Sequence, residues 1–169
     1  MVLHSVIDGF GSGASRSTLR YGMGGWHGGM KMIPKRKPKQ VKLSTLVTKA
    51  DTVCSIFIRM KFSDHAGCIT CITCGKYLPW KEAHNAHWIE RGKYGVRWNE
   101  YNVHPACSGC NVFNKQFHDR EYGIYMLDHY GREKMDELRK EARRLLKPSE
   151  KRTLALEAID RFTEAIKSL

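Results

Sequence analysis

The stretch of sequence that decides the fold runs from Cys71 to Asn111 and reads CITCGKYLPWKEAHNAHWIERGKYGVRWNEYNVHPACSGCN. It opens with the pair Cys71 and Cys74 and ends just after the pair Cys107 and Cys110, with 32 residues between the pairs. A gap of two residues lets both thiolates of one turn reach a tetrahedral zinc ion at about 2.3 Å. The spacing therefore predicts a structural zinc site with four cysteine ligands, which leaves no open position for a substrate.

A second pairing is equally good by spacing, because Cys68 stands three residues before Cys71. We favour Cys71 with Cys74, because Gly75 follows and supplies the backbone freedom that such a turn needs. Cys68 is then a spare thiol. Disulfides are the alternative to metal, but closely spaced pairs without a secretory signal favour metal and a reducing compartment.

The charge of the chain indicates a polyanionic partner. Its 169 residues include 29 Lys and Arg against 17 Asp and Glu, a formal net charge of +12. Such an excess favours nucleic acid first and an anionic membrane second. No apolar run approaches the roughly 18 residues that span a bilayer, and the N-terminus lacks a signal-peptide pattern. We therefore expect a soluble cytoplasmic protein with one domain and appendages and no membrane partner.

The N-terminal part is predicted to be a flexible, Gly-rich and basic arm over residues 1–41. Eight of the fifteen glycines lie in the first thirty residues, and the first fifty carry nine Lys or Arg against a single acid, Asp8. Such a segment does not pack by itself and can lie along phosphates, with a solvated linker as the alternative. The phosphate contacts expected in the arm are Lys35, Arg36, Lys37 and Lys39.

Apolar periodicity predicts helices on both sides of the cysteine-rich stretch. Spacings of three and four indicate an amphipathic helix from Ser44 to about Phe62, with Cys54 on its apolar stripe as a core residue. Further helices are expected over about 111–117, 120–129, 132–146 and 150–167. The last helix carries an apolar stripe that serves either the core or a partner helix, formed by Leu154, Ala158, Ile159, Phe162 and Ile166.

The residues between the cysteine pairs carry a second pattern. His87 and Asn102 are followed by Asn111 directly after the second pair, and this order resembles the HNH nuclease motif in its zinc-bearing form. The resemblance implies an α+β fold with a zinc-stabilised ββα-metal core, in which a small β-hairpin and a helix hold one divalent ion and further helices surround them. It also implies that His87 is the general base, that Asn102 orients the hairpin loop or that histidine, and that Asn111 is a metal ligand.

These residue types suit the hydrolysis of a phosphodiester. A neutral imidazole can take a proton from an attacking water, while a hard cation neutralises the phosphate and the leaving oxygen. An amide oxygen suits Mg²⁺ or Mn²⁺, which we expect as the catalytic metal, and an imidazole widens the choice toward Zn²⁺ or Ni²⁺.

Many HNH enzymes place a further metal ligand directly before the catalytic histidine, where this sequence has Ala86. The candidates to replace that ligand are His84, Asn85 and His104. On an extended strand His84 shares a face with Ala86 and lies opposite to His87. We favour His84, with His104 as the second choice.

A closer resemblance covers roughly residues 42–145. The runs CITCG (71–75), AHW (86–88), RWNEYNVH (97–104) and CSGCN (107–111), followed by Tyr130, Gly131 and a helix, resemble the phage NinG (Rap) recombination nucleases. That family implies a structure-selective endonuclease that cuts branched recombination intermediates such as Holliday junctions and D-loops, in the cytoplasm of a bacterial host. It also carries a small residue before the catalytic histidine, so Ala86 fits the pattern.

We accordingly divide the chain into the arm (1–41), an HNH nuclease domain with the zinc site (42–146) and a C-terminal helix (147–169). The DNA contacts expected outside the arm are Arg91, Lys93, Arg97 and Lys115. Coordinated cutting of a junction needs two sites, which makes a homodimer a candidate assembly. Two alternatives stay open: a homing or restriction nuclease that reads sequence in linear duplex, and a non-catalytic zinc module that binds DNA.

Overall fold

The computed structural model describes residues 40–169, which form a mixed fold of helices and two small antiparallel sheets. In chain order the elements are α1 (Leu43–Lys61), β1 (Cys68–Thr70), β2 (Tyr77–Pro79), β3 (His84–His87), β4 (Val103–Ala106), a π-helical turn (Gly109–Phe113), α2 (Lys115–Ala142) and α3 (Pro148–Lys167). The expectation of an α+β fold is confirmed at this level. Residues 1–39 of the predicted arm, with Lys35, Arg36, Lys37 and Lys39, lie outside the described residues.

The first helix follows from its apolar stripe. Its predicted span is confirmed to within one residue at each end, and five side chains of the stripe are buried. One of them is Cys54, which is 2% exposed, and burial raises the pKa of its thiol to about 12. Cys54 is therefore confirmed as a core residue.

The second helix has a break at Gly131, where φ is 74° and ψ is 168°. A residue with a side chain is strained in this left-handed region, and glycine adopts it without cost. The sequence places the end of one helix before Gly131 and the start of the next after it, which agrees with the break. The helix predicted over 111–117 is wrong in detail, because the π-helical turn ends and α2 begins around Asn114, whose φ and ψ of −122° and 59° are not helical.

The C-terminal helix shares a core with the first one. Phe162 is fully buried, and its ring centroid lies 5.2 Å from that of Phe57 in α1. Ile159 is also buried, and Leu154 and Ile166 pack at the edge of the same cluster. The apolar stripe of α3 thus serves the core of its own chain. None of the helices described in residues 40–169 has the length and hydropathy needed to cross a bilayer.

The two hairpins supply the cysteines and the polar residues of the site. Strands β1 and β2 pair antiparallel, with Cys68 opposite Pro79. Strands β3 and β4 pair antiparallel, with His84 opposite Ala106 and His87 opposite Val103. All four residues of β4 are buried, because it lies between the two hydrophobic clusters of the described residues.

Candidate functional site

Four cysteines from two distant turns meet at one point. Their Sγ atoms all lie within 4.8 Å of one another, and the four residues are Cys71, Cys74, Cys107 and Cys110. The Sγ atoms of Cys74 and Cys107 are 3.8 Å apart. Tetrahedral zinc with bonds of about 2.3 Å places its sulfurs about 3.8 Å apart, so the cluster has the size that the ion requires.

The electrostatics of the cluster also fit a cation. Burial opposes the ionisation of Cys71, but hydrogen bonds from the backbone of Cys107, Cys74 and Thr73 lower the pKa of its thiol to about 7. Burial, together with the neighbouring thiols, raises the pKa of Cys74 and Cys110. One thiolate is thus favoured while further ionisation is opposed, and a bound divalent ion removes that opposition.

The choice between the two cysteine registers is settled by the geometry. Cys68 lies outside the four-cysteine cluster, and its backbone N–H is bonded to the carboxylate of Asp64. Gly75 has a φ of 71°, which is the left-handed conformation expected after the first pair. A metal site formed by these four cysteines, with Cys68 as a spare thiol, agrees with the sequence analysis.

Asn102 holds the loop between β3 and β4 in place. It is fully buried, donates to the carbonyl oxygens of Ile89 at 3.0 Å and Val96 at 2.9 Å, and accepts from the N–H of Ile89 at 2.8 Å. One amide thereby holds the loop between β3 and β4 at two points, Ile89 and Val96. The side chain orients the loop rather than the ring of His87, with which it forms no hydrogen bond among the described residues.

His104 does not fit the role of a metal ligand. It is fully buried, and its Nδ1 and Nε2 lie 2.8 and 2.7 Å from the hydroxyl oxygens of Tyr122 and Tyr130. The Tyr122 hydroxyl also lies 3.2 Å from two carbonyl oxygens and can donate to them, so it accepts from Nδ1–H, and Tyr130 then donates to Nε2. Both ring nitrogens are engaged, and our second choice of ligand was wrong for this reason.

The buried His104 should make the fold sensitive to acid. Burial, followed by the charges of His129 and Lys61, lowers the pKa of His104 to about 3. The unfolded chain takes up this proton near pH 6.5 and the folded chain does not, so stability is complete above about pH 6.5 and falls toward pH 3. We expect His104→Gln, which cannot titrate, to lose less stability than the wild type between about pH 6.5 and pH 5. The expected difference is about 2 kcal/mol, read from denaturant unfolding at the two pH values. Equal losses in both proteins would contradict the neutral buried state.

His84 and Asn111 meet at the start of β3. The ring Nδ1 of the exposed His84 lies 3.5 Å from the amide nitrogen of the half-buried Asn111 in the π-helical turn. Turning this amide by 180° about its last side-chain bond places its oxygen toward the histidine, because the oxygen and nitrogen of an amide are nearly equal in size. Two ligands about 2.1 Å from one ion are about 3.0 to 3.4 Å apart, so the pair has a suitable separation to hold a metal.

His87 is half-buried at the other end of β3, and its two ring nitrogens differ. Nε2 lies 3.0 Å from the carbonyl oxygen of Arg97, and because a carbonyl only accepts, Nε2 carries the proton. The lone pair is on Nδ1, which accepts from Nε of Arg91 over a long 3.4 Å. Burial, followed by the charge of Arg91, lowers the pKa of His87 to about 4, so the ring is neutral at physiological pH.

Asn85 shares a cavity with His87. The two side chains lie on the same face of β3, against Asp51 and Ser55 of α1. Asn85 is 7% exposed, and its Oδ1 has no hydrogen-bond partner among the described residues. A buried amide oxygen of this kind is available to a ligand that enters the cavity.

The predicted site residues therefore form two groups. His84 with Asn111 and His87 with Arg91 lie at opposite ends of β3, about 10 Å apart along an extended strand, and on opposite faces of it. The structure does not bring His87 into hydrogen-bonding contact with Asn111.

Comparison with protein-family models matches residues 30–167 to the family described as Bacteriophage Lambda NinG protein. The chain belongs to the NinG family. Comparisons with curated proteins and with solved structures give no match. The match confirms the resemblance to the NinG family, and it extends through α3, which the resemblance did not cover.

Two of the predicted DNA contacts of this NinG family protein have partners of their own. Arg97 is bonded through Nε and Nη2 to both carboxylate oxygens of Asp51, at 2.9 and 2.6 Å, and through Nη1 to the carbonyl of Arg91. Its side chain is 13% exposed, so it supports the loop and is not available to phosphate. Lys115 is exposed, with Asp119 at 3.0 Å.

Arg91 and Lys93 are the better placed of the predicted contacts. Both are exposed in the loop between β3 and β4, and Arg91 lies next to Nδ1 of His87. Lys93 is 3.9 Å from Glu90, which is a weak surface pair.

Sequence reasoning missed several residues that position this site. Asp51 binds Arg97 and the indole N–H of Trp98, and the hydrogen bonds lower the pKa of its carboxyl although burial raises it. Tyr122 reaches the carbonyls of Ala86 and Asn102 from α2. These contacts join residues 20 to 47 positions apart, so no local spacing in the sequence predicts them.

Proposed function

We propose that this NinG family protein is a metal-dependent DNA endonuclease of the HNH class that cuts branched recombination intermediates. The observation that carries the proposal is the state of His87. A carbonyl fixes its protonated nitrogen, and the other nitrogen presents a lone pair beside an exposed arginine. A general base requires that arrangement, because only the unprotonated nitrogen of a correctly oriented neutral ring can accept the proton of water.

The fold supports the HNH class through the order of its elements. A β-hairpin carries His87 on its first strand, and a helical turn with Asn111 follows its second strand. Asn102 fixes the hairpin loop, and the four cysteines tie the turn before Asn111 to the turn after β1. The catalytic residues would thus stand on a rigid frame although the strands have only three or four residues.

The pair His84 and Asn111 would hold the catalytic ion. One imidazole nitrogen and one amide oxygen leave most of the coordination sphere to water and phosphate oxygens, as Mg²⁺ and Mn²⁺ prefer. Such an ion would supply positive charge to the DNA backbone near the phosphate being cut, since His84 and His87 stand at the two ends of the same short strand.

Arg91 would connect the base with the phosphate. Its guanidinium now donates to His87 over 3.4 Å, a contact weaker than the paired hydrogen bonds that it can make to phosphate oxygens. Binding of a phosphate would draw Arg91 away from Nδ1 and free the lone pair for water. His87 would therefore become available as a base only when a phosphate of the substrate is bound.

Branched DNA is the substrate that family membership supports best, and the net charge of +12 is that of a nucleic-acid-binding protein. The test compares a four-way junction with linear duplex of the same sequence, each with Mg²⁺, with Mn²⁺ and with a chelator. We expect metal-dependent cleavage with a preference for the junction. Equal cutting of linear duplex would favour a sequence-reading nuclease, and binding without cutting would favour a non-catalytic zinc module.

The metal site is tested by Asn111→Ala. Removal of one of two protein ligands should lower metal affinity and cleavage by at least about 100-fold, with a higher metal concentration needed for half-maximal rate. Asn114→Ala is the matched control, because this exposed amide stands three residues away and makes no side-chain cap. Loss of cleavage in both variants, or in neither, would place the metal elsewhere.

A further inference from the structure

A basic groove lies where the loop between β3 and β4 meets the end of α2 and the start of α3. Four cations line it, and no carboxylate is among its lining residues; the cations are Lys93, Arg143, Arg144 and Lys151. Its volume of about 230 Å³ is below the roughly 300 to 1,000 Å³ of small-molecule sites, and its lining is polar. A groove of this kind fits an extended anion on the surface better than an enclosed ligand.

The groove is built into the packing. At Gly95 a Cβ atom would lie 2.7 Å from the carbonyl oxygen of Glu141, so the hairpin loop reaches the end of α2 only because this residue is glycine. On the other side, the ammonium of Lys151 lies 5.0 Å from the centre of the Tyr94 ring, a cation–π contact between α3 and the loop. Both sides of the groove are thereby held in place.

Much of its positive charge is not neutralised within the described residues. Arg144 faces Glu141 and Glu150, but neither Arg143 nor Lys151 has an acidic group within 4.0 Å. Residues 139–152 contain seven Lys and Arg against two Glu. A patch with this excess attracts polyanions, and Arg143 and Lys151 can bind them without breaking an ion pair of the described residues.

We propose that this groove binds the phosphate backbone of a duplex DNA arm that leaves the His87 site. The inference rests on the proposed function and adds a contact surface to it. The connection is the hairpin loop itself, since Arg91 lies beside His87 and Lys93, two residues later, lines the groove. Lys and Arg without other polar side chains track phosphates and do not read bases, so the contact is independent of sequence.

The test is the double variant Arg143→Gln with Lys151→Gln, measured by binding to a fluorescent linear duplex and a four-way junction over a series of salt concentrations. Each lost phosphate contact reduces the salt slope by about 0.9 and weakens binding about fivefold at 0.15 M salt, so loss of both contacts should weaken binding about 25-fold. The control is Lys76→Gln with Lys167→Gln, which removes the same charge at exposed positions outside the groove. Cleavage at saturating DNA should stay as in the wild type, because neither residue contacts the His87 site.

A second pair, Lys93→Gln with Arg143→Gln, covers the case in which loss of Lys151 disturbs its contact with Tyr94, since both side chains line the groove and are exposed. Binding and salt slopes equal to those of the control in both groove variants would overturn the inference, even if the protein binds and cuts DNA. A wild-type protein that binds DNA with a groove-dependent salt slope but cuts nothing would overturn the nuclease proposal and leave the groove standing. Groove variants that bind vesicles of anionic lipid more weakly than the wild type, but bind DNA equally well, would overturn the inference as well.

Discussion

Replacing Cys71 with Ser should leave a chain that neither binds zinc nor holds its fold. Cys71 is 1% exposed and lies in the same cluster as Ile69, Ala86 and Tyr122, so a bound ion and the core would both depend on this residue. Structural zinc contributes about 10 to 16 kcal/mol in small zinc-dependent domains, against a total stability of about 5 to 15 kcal/mol for ordinary ones. Without the ion the chain should therefore be unfolded near room temperature and show no cooperative unfolding transition on heating. The measurement is zinc content by mass spectrometry together with thermal unfolding.

Cys68→Ser is the matched control for this change. Cys68 stands three residues earlier and outside the cluster, and its thiol donates a weak hydrogen bond of 3.9 Å to the carbonyl of Ala66. We expect one zinc per chain and an unfolding temperature close to that of the wild type. Reduced wild-type protein without metal that unfolds at the same temperature as the zinc-loaded form would contradict a structural role for the ion.

The cysteine site could be predicted because its signal is local. Each pair needs only a two-residue gap, and the glycine after the first pair has the left-handed φ that separates Cys71 and Cys74 from the competing pair with Cys68. The span of α1 was predictable for the same reason, since one face of a helix repeats within four residues. A tertiary contact was not needed for either prediction.

Spacing could not show that His104 and Arg97 are already engaged within the fold, because their partners are distant in sequence. Two tyrosines of α2, 18 and 26 residues later, engage both nitrogens of His104, and Asp51, 46 residues earlier, binds Arg97. Strand β4 also lacks the alternation of polar and apolar environments that usually identifies a strand, because it is buried on both faces. A histidine in such a strand cannot be distinguished from a ligand by spacing.

The largest effect on activity should come from His87→Ala. A general base contributes about 10² to 10⁴ to the rate, so cleavage of a four-way junction should fall by that factor while junction binding is retained. The fold should survive, since the side chain is half-buried and the described ring bonds are to one carbonyl and one exposed arginine. His65→Ala is the control, because His65 is exposed in the turn after α1 and lies outside both groups of site residues. Wild-type rates for His87→Ala would contradict the HNH assignment.

The pH dependence separates His87 from an ordinary exposed histidine acting as the base. Its lowered pKa of about 4 means that the ring stays neutral when the pH falls below the usual value of about 6.5. We therefore expect kcat/KM of the wild type to stay nearly constant from about pH 7.5 to about pH 5.5, where a base of ordinary pKa would lose about tenfold. Circular dichroism at each pH must show that the protein is still folded, because burial of neutral His104 makes the fold less stable as the pH falls. A tenfold loss in folded protein over this range would assign the base to a group of ordinary pKa, and the state of His87 would then no longer support the proposed mechanism.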